Sequence, residues 1–103
     1  MAITTEEGRA HVPRAVPRPF EMHWGRGQIV EEASIDSPHH EPTIQLLEYE
    51  DGSESLRFCY YHGTRFGRGA LMVDGEWLDD FADALREKPR IRALLKRMLG
   101  EPT

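Results

Sequence analysis

Arg57, Arg65 and Arg68 stand interleaved with Tyr49, Tyr61 and Phe66 in the middle of the chain. Guanidinium groups grip phosphate oxygens and aromatic faces stack on bases, so this combination on adjacent elements suits a single-stranded nucleic acid. The acidic neighbours Glu48, Glu50, Asp51 and Glu54 oppose it locally. Binding is therefore expected to be weak and salt-sensitive, with a slope set by a few phosphates. Farther upstream Arg9, Arg14 and Arg18, spaced by prolines, could also touch a phosphate backbone or simply belong to a solvated tail.

The other reactive groupings are poorer. His39-His40-Glu41 offers three metal ligands, with His23 and His62 elsewhere. Adjacent strand residues point apart, however, and no i, i+4 histidine pair like that of a zinc helix exists, so a solvated loop is expected. Cys59 is the sole cysteine, which excludes an internal disulfide framework and a cysteine-based zinc site. Lying mid-strand with no positive helix terminus nearby, it reads as an inert, half-buried thiol rather than a partner for His62. Asp79, Asp80 and Asp83 read as solvated charge near a helix start. Gly25-Arg26-Gly27 and Gly67-Arg68-Gly69 lack the spacing and the lysine of a phosphate loop. No catalytic constellation emerges, and neither an enzyme nor a cofactor or metal is expected.

The elements that would hold these side chains follow from the pattern. Residues 1–20 have no apolar periodicity and carry Pro13, Pro17 and Pro19, so they are expected as a disordered tail or an extended arm before a single domain over 21–103. Met22 to Ile35 is weakly strand-like. Thr43–Tyr49 and Ser55–Tyr61 are strand candidates joined by Glu50-Asp51-Gly52-Ser53, whose Asp-Gly pair marks a hairpin turn. His62 to Gly69 must turn or bulge, and Ala70–Val73 is an apolar run of strand length. Asp74 is a candidate N-cap for a helix starting near Gly75 or Glu76. Trp77, Leu78, Phe81, Ala82 and Leu85 share one face of that helix; Pro89 opens another, with the stripe Ile91, Leu94, Leu95, Met98 and Leu99 and a stop at Gly100. Strands first and helices after make the class α+β.

Alternation puts Leu56, Phe58 and Tyr60 on one hairpin face with Ile44 and Leu46, the natural partner of the Trp77-Phe81-Leu85 stripe. Leu47, Tyr49, Cys59, Tyr61 and Arg57 are left on the other face. That face is covered by the N-terminal segment or a second subunit, or serves as a ligand platform, unless the register differs.

Composition bounds the class. The chain has 103 residues, 39% of them hydrophobic and 30% charged, and its net charge of −5 argues against strong nonspecific binding to nucleic acid. Eleven of its thirteen basic residues are arginine, and the acidic excess lies mainly before Asp51. No apolar run approaches a membrane span and none near Met1 resembles a signal peptide, so a cytoplasmic protein is expected. The modest core, the doubly apolar hairpin and the amphipathic last helix together suggest a homodimer.

The stretch Phe66-Gly67-Arg68-Gly69-Ala70-Leu71-Met72-Val73-Asp74-Gly75-Glu76-Trp77-Leu78 resembles the signature of the transcriptional coactivator family typified by positive cofactor four. Members carry a Pro-Gly-Arg-Lys-Gly-Ile-Ser-Leu strand followed by a Glu-Gln-Trp helix start, preceded by a hairpin ending in aromatics; the likeness spans about residues 43–98. It implies a curved antiparallel sheet of about four strands followed by a C-terminal helical segment, here broken near Pro89. It also implies dimerisation through the helices and binding of single-stranded or melted DNA along the sheet, with transcription-machinery proteins as further partners. Arg65 and Arg68 would stand where family basic residues grip phosphates, Tyr61 at the aromatic strand end and Trp77 at the family tryptophan. The expected nucleic-acid residues are thus Arg57, Tyr61, Arg65, Phe66, Arg68 and Trp77. The chain departs from the pattern in lacking the second basic residue after Gly67-Arg68, in Phe66 replacing the proline, and in having no serine- and lysine-rich tail. A protein–protein interaction module acting as a dimer without nucleic acid is the competing expectation.

Overall fold

The computed structural model describes residues 14–102. Five strands, β1 (Arg18–Met22), β2 (Gly25–Ser34), β3 (Glu41–Tyr49), β4 (Glu54–His62) and β5 (Arg65–Phe66), form one antiparallel sheet in sequential order. The sheet curls into a half-barrel. A 3₁₀ turn (Gly75–Trp77) leads into α1 (Leu78–Leu85) and then α2 (Pro89–Met98). The class is α+β.

The hairpin expected over residues 43–61 is the centre of the sheet, with Leu46 opposite Leu56 and Gln45 opposite Arg57. Two corrections concern the strands around it. The sheet has five strands rather than about four, because Arg18–Met22 pairs with β2. Ala70–Val73 is not a strand: the fifth is the two-residue β5, and the apolar run beyond it crosses to the helices, with Val73 packed on the core and Met72 exposed. Of the expected tail over 1–20, residues 1–13 lie outside the described residues; its described end holds Arg14 and Arg18 against the sheet.

One face of the sheet meets the helices. Ala33, Ile35, Ile44 and Leu46 form a buried cluster with Phe81 and Ile91, joined by Leu56, Trp77, Leu85, Leu94 and Leu95. Met98 and Leu99, the rest of the expected stripe, are exposed. The helix ends are capped from elsewhere than expected. Asp74 accepts from the Trp77 amide through its backbone oxygen, 2.9 Å away, and its side chain makes no capping bond. At α2, where Pro89 occupies the first turn, the Glu31 carboxylate accepts from the Ile91 amide at 2.9 Å and the Arg90 amide at 3.3 Å. Glu31 reaches there through an irregularity in β2: Ile29 pairs with Leu47 but Glu31 pairs with Leu46, so the two point to opposite faces. The chain stops α2 at Gly100, whose φ of 75° permits bonds from Gly100 N to Arg97 O and from Glu101 N to Lys96 O.

Candidate functional site

The face turned away from the helices begins with a small apolar cluster. Phe20 of β1, Ile29 of β2 and Leu47 of β3 are buried together, flanked by Met22 and Tyr49, with the Phe20 and Tyr49 rings edge to face at 5.2 Å. The chain's own N-terminal segment therefore covers Leu47 and part of Tyr49. Beside this cluster the face becomes polar. Gln45 is fully buried; its amide nitrogen donates to Glu32 at 2.7 Å and to the Tyr61 hydroxyl at 3.0 Å, and its carbonyl accepts from Arg57 Nε at 2.7 Å. Arg18 donates to both oxygens of Glu32, at 3.1 and 2.6 Å, which raises its guanidinium above its ordinary pKa. These bonds satisfy polar groups that would be costly to bury alone. Cys59 Sγ lies 3.5 Å from the same Gln45 oxygen, and burial pushes its thiol up to about 11.

Along this face runs an open groove of about 950 Å³, bordered by Arg18, Trp24, Arg57, Tyr61, Phe66 and Arg68. It brings together Arg57, Tyr61, Phe66 and Arg68 of the six expected residues. Phe66 is 45% exposed and pairs with Tyr61 across β4–β5, the rings 5.5 Å apart and edge to face. The Arg57 guanidinium lies 4.7 Å from the Phe66 ring centroid, so cation and ring form one platform. Arg68 stands exposed past the end of β5.

The other expected residues sit differently. Tyr61 is buried, its hydroxyl taken by Gln45 and Arg18 and its ring covered by the Arg14 guanidinium at 3.8 Å; it is the floor of the groove rather than a stacking surface. Arg65 pairs with His62, one position out of phase with Phe66, and so belongs to the opposite face. Trp77 packs against the helix-side core, because the 3₁₀ turn faces the sheet there. The acidic neighbours expected to oppose binding are engaged elsewhere. Glu48 and Glu54 both accept from Arg90 on the helix side, Glu50 pairs with Arg26, and Asp51 accepts from the amide and hydroxyl of Ser53.

Trp24 was missing from the expected set. It is 73% exposed in the two-residue turn between β1 and β2, at the groove's far rim. A tryptophan between His23 and Gly25 at the head of a strand was the available signal, since a turn rarely spends its largest apolar side chain on solvent. Phe20 is obscured by the prolines around it; Arg18, expected as a phosphate contact or as part of a solvated tail, lies instead in β1.

Among the described residues no group of three or more His, Cys, Asp or Glu side chains is placed to hold a metal ion. His39-His40-Glu41 is dispersed: His40 Nε2 lies 3.1 Å from Met72 O, and Glu41 accepts both guanidinium nitrogens of Arg14. No described helix is long and apolar enough to cross a membrane. No protein-family model, curated protein or solved structure matches the chain.

Proposed function

We propose that the groove opposite the helices binds single-stranded DNA or RNA weakly, in the manner of the coactivators that the Phe66–Leu78 stretch resembles. The observation that carries this reading is the Arg57–Phe66 platform: an exposed ring beneath a guanidinium, with Arg68 beside it and Trp24 across the groove. Bases stack on Phe66 and Trp24 while Arg68 and Arg57, which have no carboxylate partner among the described residues, face the phosphates. Sequence preference is slight, because stacking accepts any base and the groove's polar groups are already bonded to one another.

Anisotropy titration of a labelled single-stranded oligonucleotide at low salt tests the reading. Saturable binding is expected. Phe66→Ala should weaken it about five- to 150-fold, the range of one base stack, and Arg65→Ala, on the opposite face, should change it little. Absence of saturation, or equal losses in both variants, would sink the assignment.

A second reading, a homodimer through the helices, is favoured by a separate observation. The segment Gly75–Leu85 carries Glu76, Asp79, Asp80 and Asp83 and no base, whereas α2 carries Arg90, Arg92, Lys96 and Arg97 and no acid. Leu78 of α1 and Met98 of α2 are exposed, as is Leu99 just past the end of α2. A two-fold axis that laid α1 of one protomer on α2 of the other would bring Glu76, Asp79 and Asp80 to Arg92, Lys96 and Arg97 twice over and cover the three apolar side chains. The two readings use opposite faces and are compatible.

A further inference from the structure

Strands β2 to β4 by themselves put more acid than base beneath the groove. Glu32 of β2 and Glu41 of β3 are buried on that face, against the single arginine Arg57 of β4. A phosphate chain brought to such a surface would meet two carboxylates for one cation. β1 and the segment that enters it change this balance. Arg14 donates to both oxygens of Glu41 at 2.8 Å each and stands 3.9 Å from Glu32, while Arg18 holds Glu32 in a fork of its own. Arg14 also lies over the Tyr61 ring and donates to Gly63 O at 3.2 Å, so it ties the entering arm to β3 and to the β4–β5 turn.

We propose that Arg14 and Arg18 are the charge-compensating residues of this groove: docking of the arm cancels Glu32 and Glu41 and so admits a polyanion. The proposal rests on the nucleic-acid reading of the groove. An alternative arrangement, in which Arg14 is a plug that the ligand must lift from Tyr61, conflicts with the bonding. Lifting it would break both of its bonds to the buried Glu41 carboxylate, and breaking a buried ion pair is strongly unfavourable. A weak ligand cannot supply that energy. The arm therefore stays docked, and the affinity follows the charge it brings.

The test is an anisotropy titration with labelled oligothymidylate at low salt, on the full-length chain and its Arg14→Gln, Glu41→Gln, Arg14→Gln/Glu41→Gln and Arg14→Lys variants, each checked for folding by its circular-dichroism melt. Arg14→Gln should weaken binding about five- to ten-fold, as the loss of one positive charge near the track would. Glu41→Gln should strengthen it by a similar factor, and the double variant should return to within about two-fold of the parent. Arg14→Lys, which keeps the charge and loses the fork, should stay near the parent. If Arg14→Gln does not fold, the comparison of Glu41→Gln and Arg14→Lys with the parent decides alone.

Binding by the parent with Arg14→Gln equal or tighter would overturn the compensation and leave the groove assignment standing. A double variant as weak as Arg14→Gln would do the same, since Arg14 would then act by touching the ligand. Failure of the parent itself to bind would remove the groove assignment, and the inference with it.

Discussion

Phe66 is exposed because β5 is only two residues long: the chain leaves the sheet at Gly67, and among the described residues no sixth strand covers the ring. What turns the chain there is contact with Tyr60 on the other face. A Cβ at Gly67 would fall 1.9 Å from the Tyr60 ring, and the Tyr60 hydroxyl accepts from the Gly69 amide at 2.9 Å, so the ring cannot easily move aside. Gly67→Ala is accordingly expected to destabilise the protein by about 1–3 kcal/mol, as overpacking does, and to disturb the platform with it; a denaturant melt measures the first effect. Cys59 gives a second expectation at this scale. Burial holds its thiol at about 11, well above the 9.0 of a free thiol, against the pull of Arg57. The thiol should therefore resist maleimide in the folded protein at neutral pH and react once denatured. The sign for stability follows from linkage: the unfolded thiol ionises first, so the contribution is whole below about pH 9 and is lost as pH rises toward 11. Urea melts across that range should show a decline that Cys59→Ala reduces.

At the scale of elements, the link between sheet and helices runs through Glu31. Its carboxylate serves the first amides of α2, and neither Lys88 at the cap position nor any acid in that first turn does so. Glu31→Ala should cost about 1 kcal/mol, the usual value of a lost N-cap, and Glu31→Gln less, since its carbonyl still accepts; thermal melts of both decide. α2 and its proline start are legible in the sequence because apolar spacing and proline chemistry are local. Glu31 is not, because the irregularity near Val30 shifts the alternation of β2 by one residue and nothing in the sequence marks it. The same limit explains Arg65 and Trp77. Their residue types were right for nucleic acid, but the face each occupies depends on the register of a two-residue strand and on a 3₁₀ turn. Ala70–Val73 had the composition of a strand and lost to the demand that Val73 reach the core. Arg57, Phe66 and Arg68 were legible because the hairpin that carries the first is strongly patterned and the others follow it closely.

For the whole molecule, the division of charge between α1 and α2 predicts a dimer of about twice the chain mass in light scattering, weakening as salt rises. A monomer at every concentration would remove that reading and leave the groove untouched. The groove is the central claim, and its charge is unevenly divided. The chain carries a net charge of −5. Even so, Glu48, Glu50 and Glu54 are paired with arginines away from the Arg57–Phe66 platform, and Glu32 and Glu41 are paired beneath the groove. Arg68, with no ion pair among the described residues, is left to meet a phosphate. The most direct measurement is the salt dependence of oligothymidylate binding by the parent and by Arg68→Ala. For the parent, log affinity should fall against log salt with a slope of about −1.5 to −2, as two or three phosphate contacts give, and Arg68→Ala should flatten it by about 0.7, one contact's share. A salt-independent affinity, or a slope that Arg68→Ala leaves unchanged, would contradict the account.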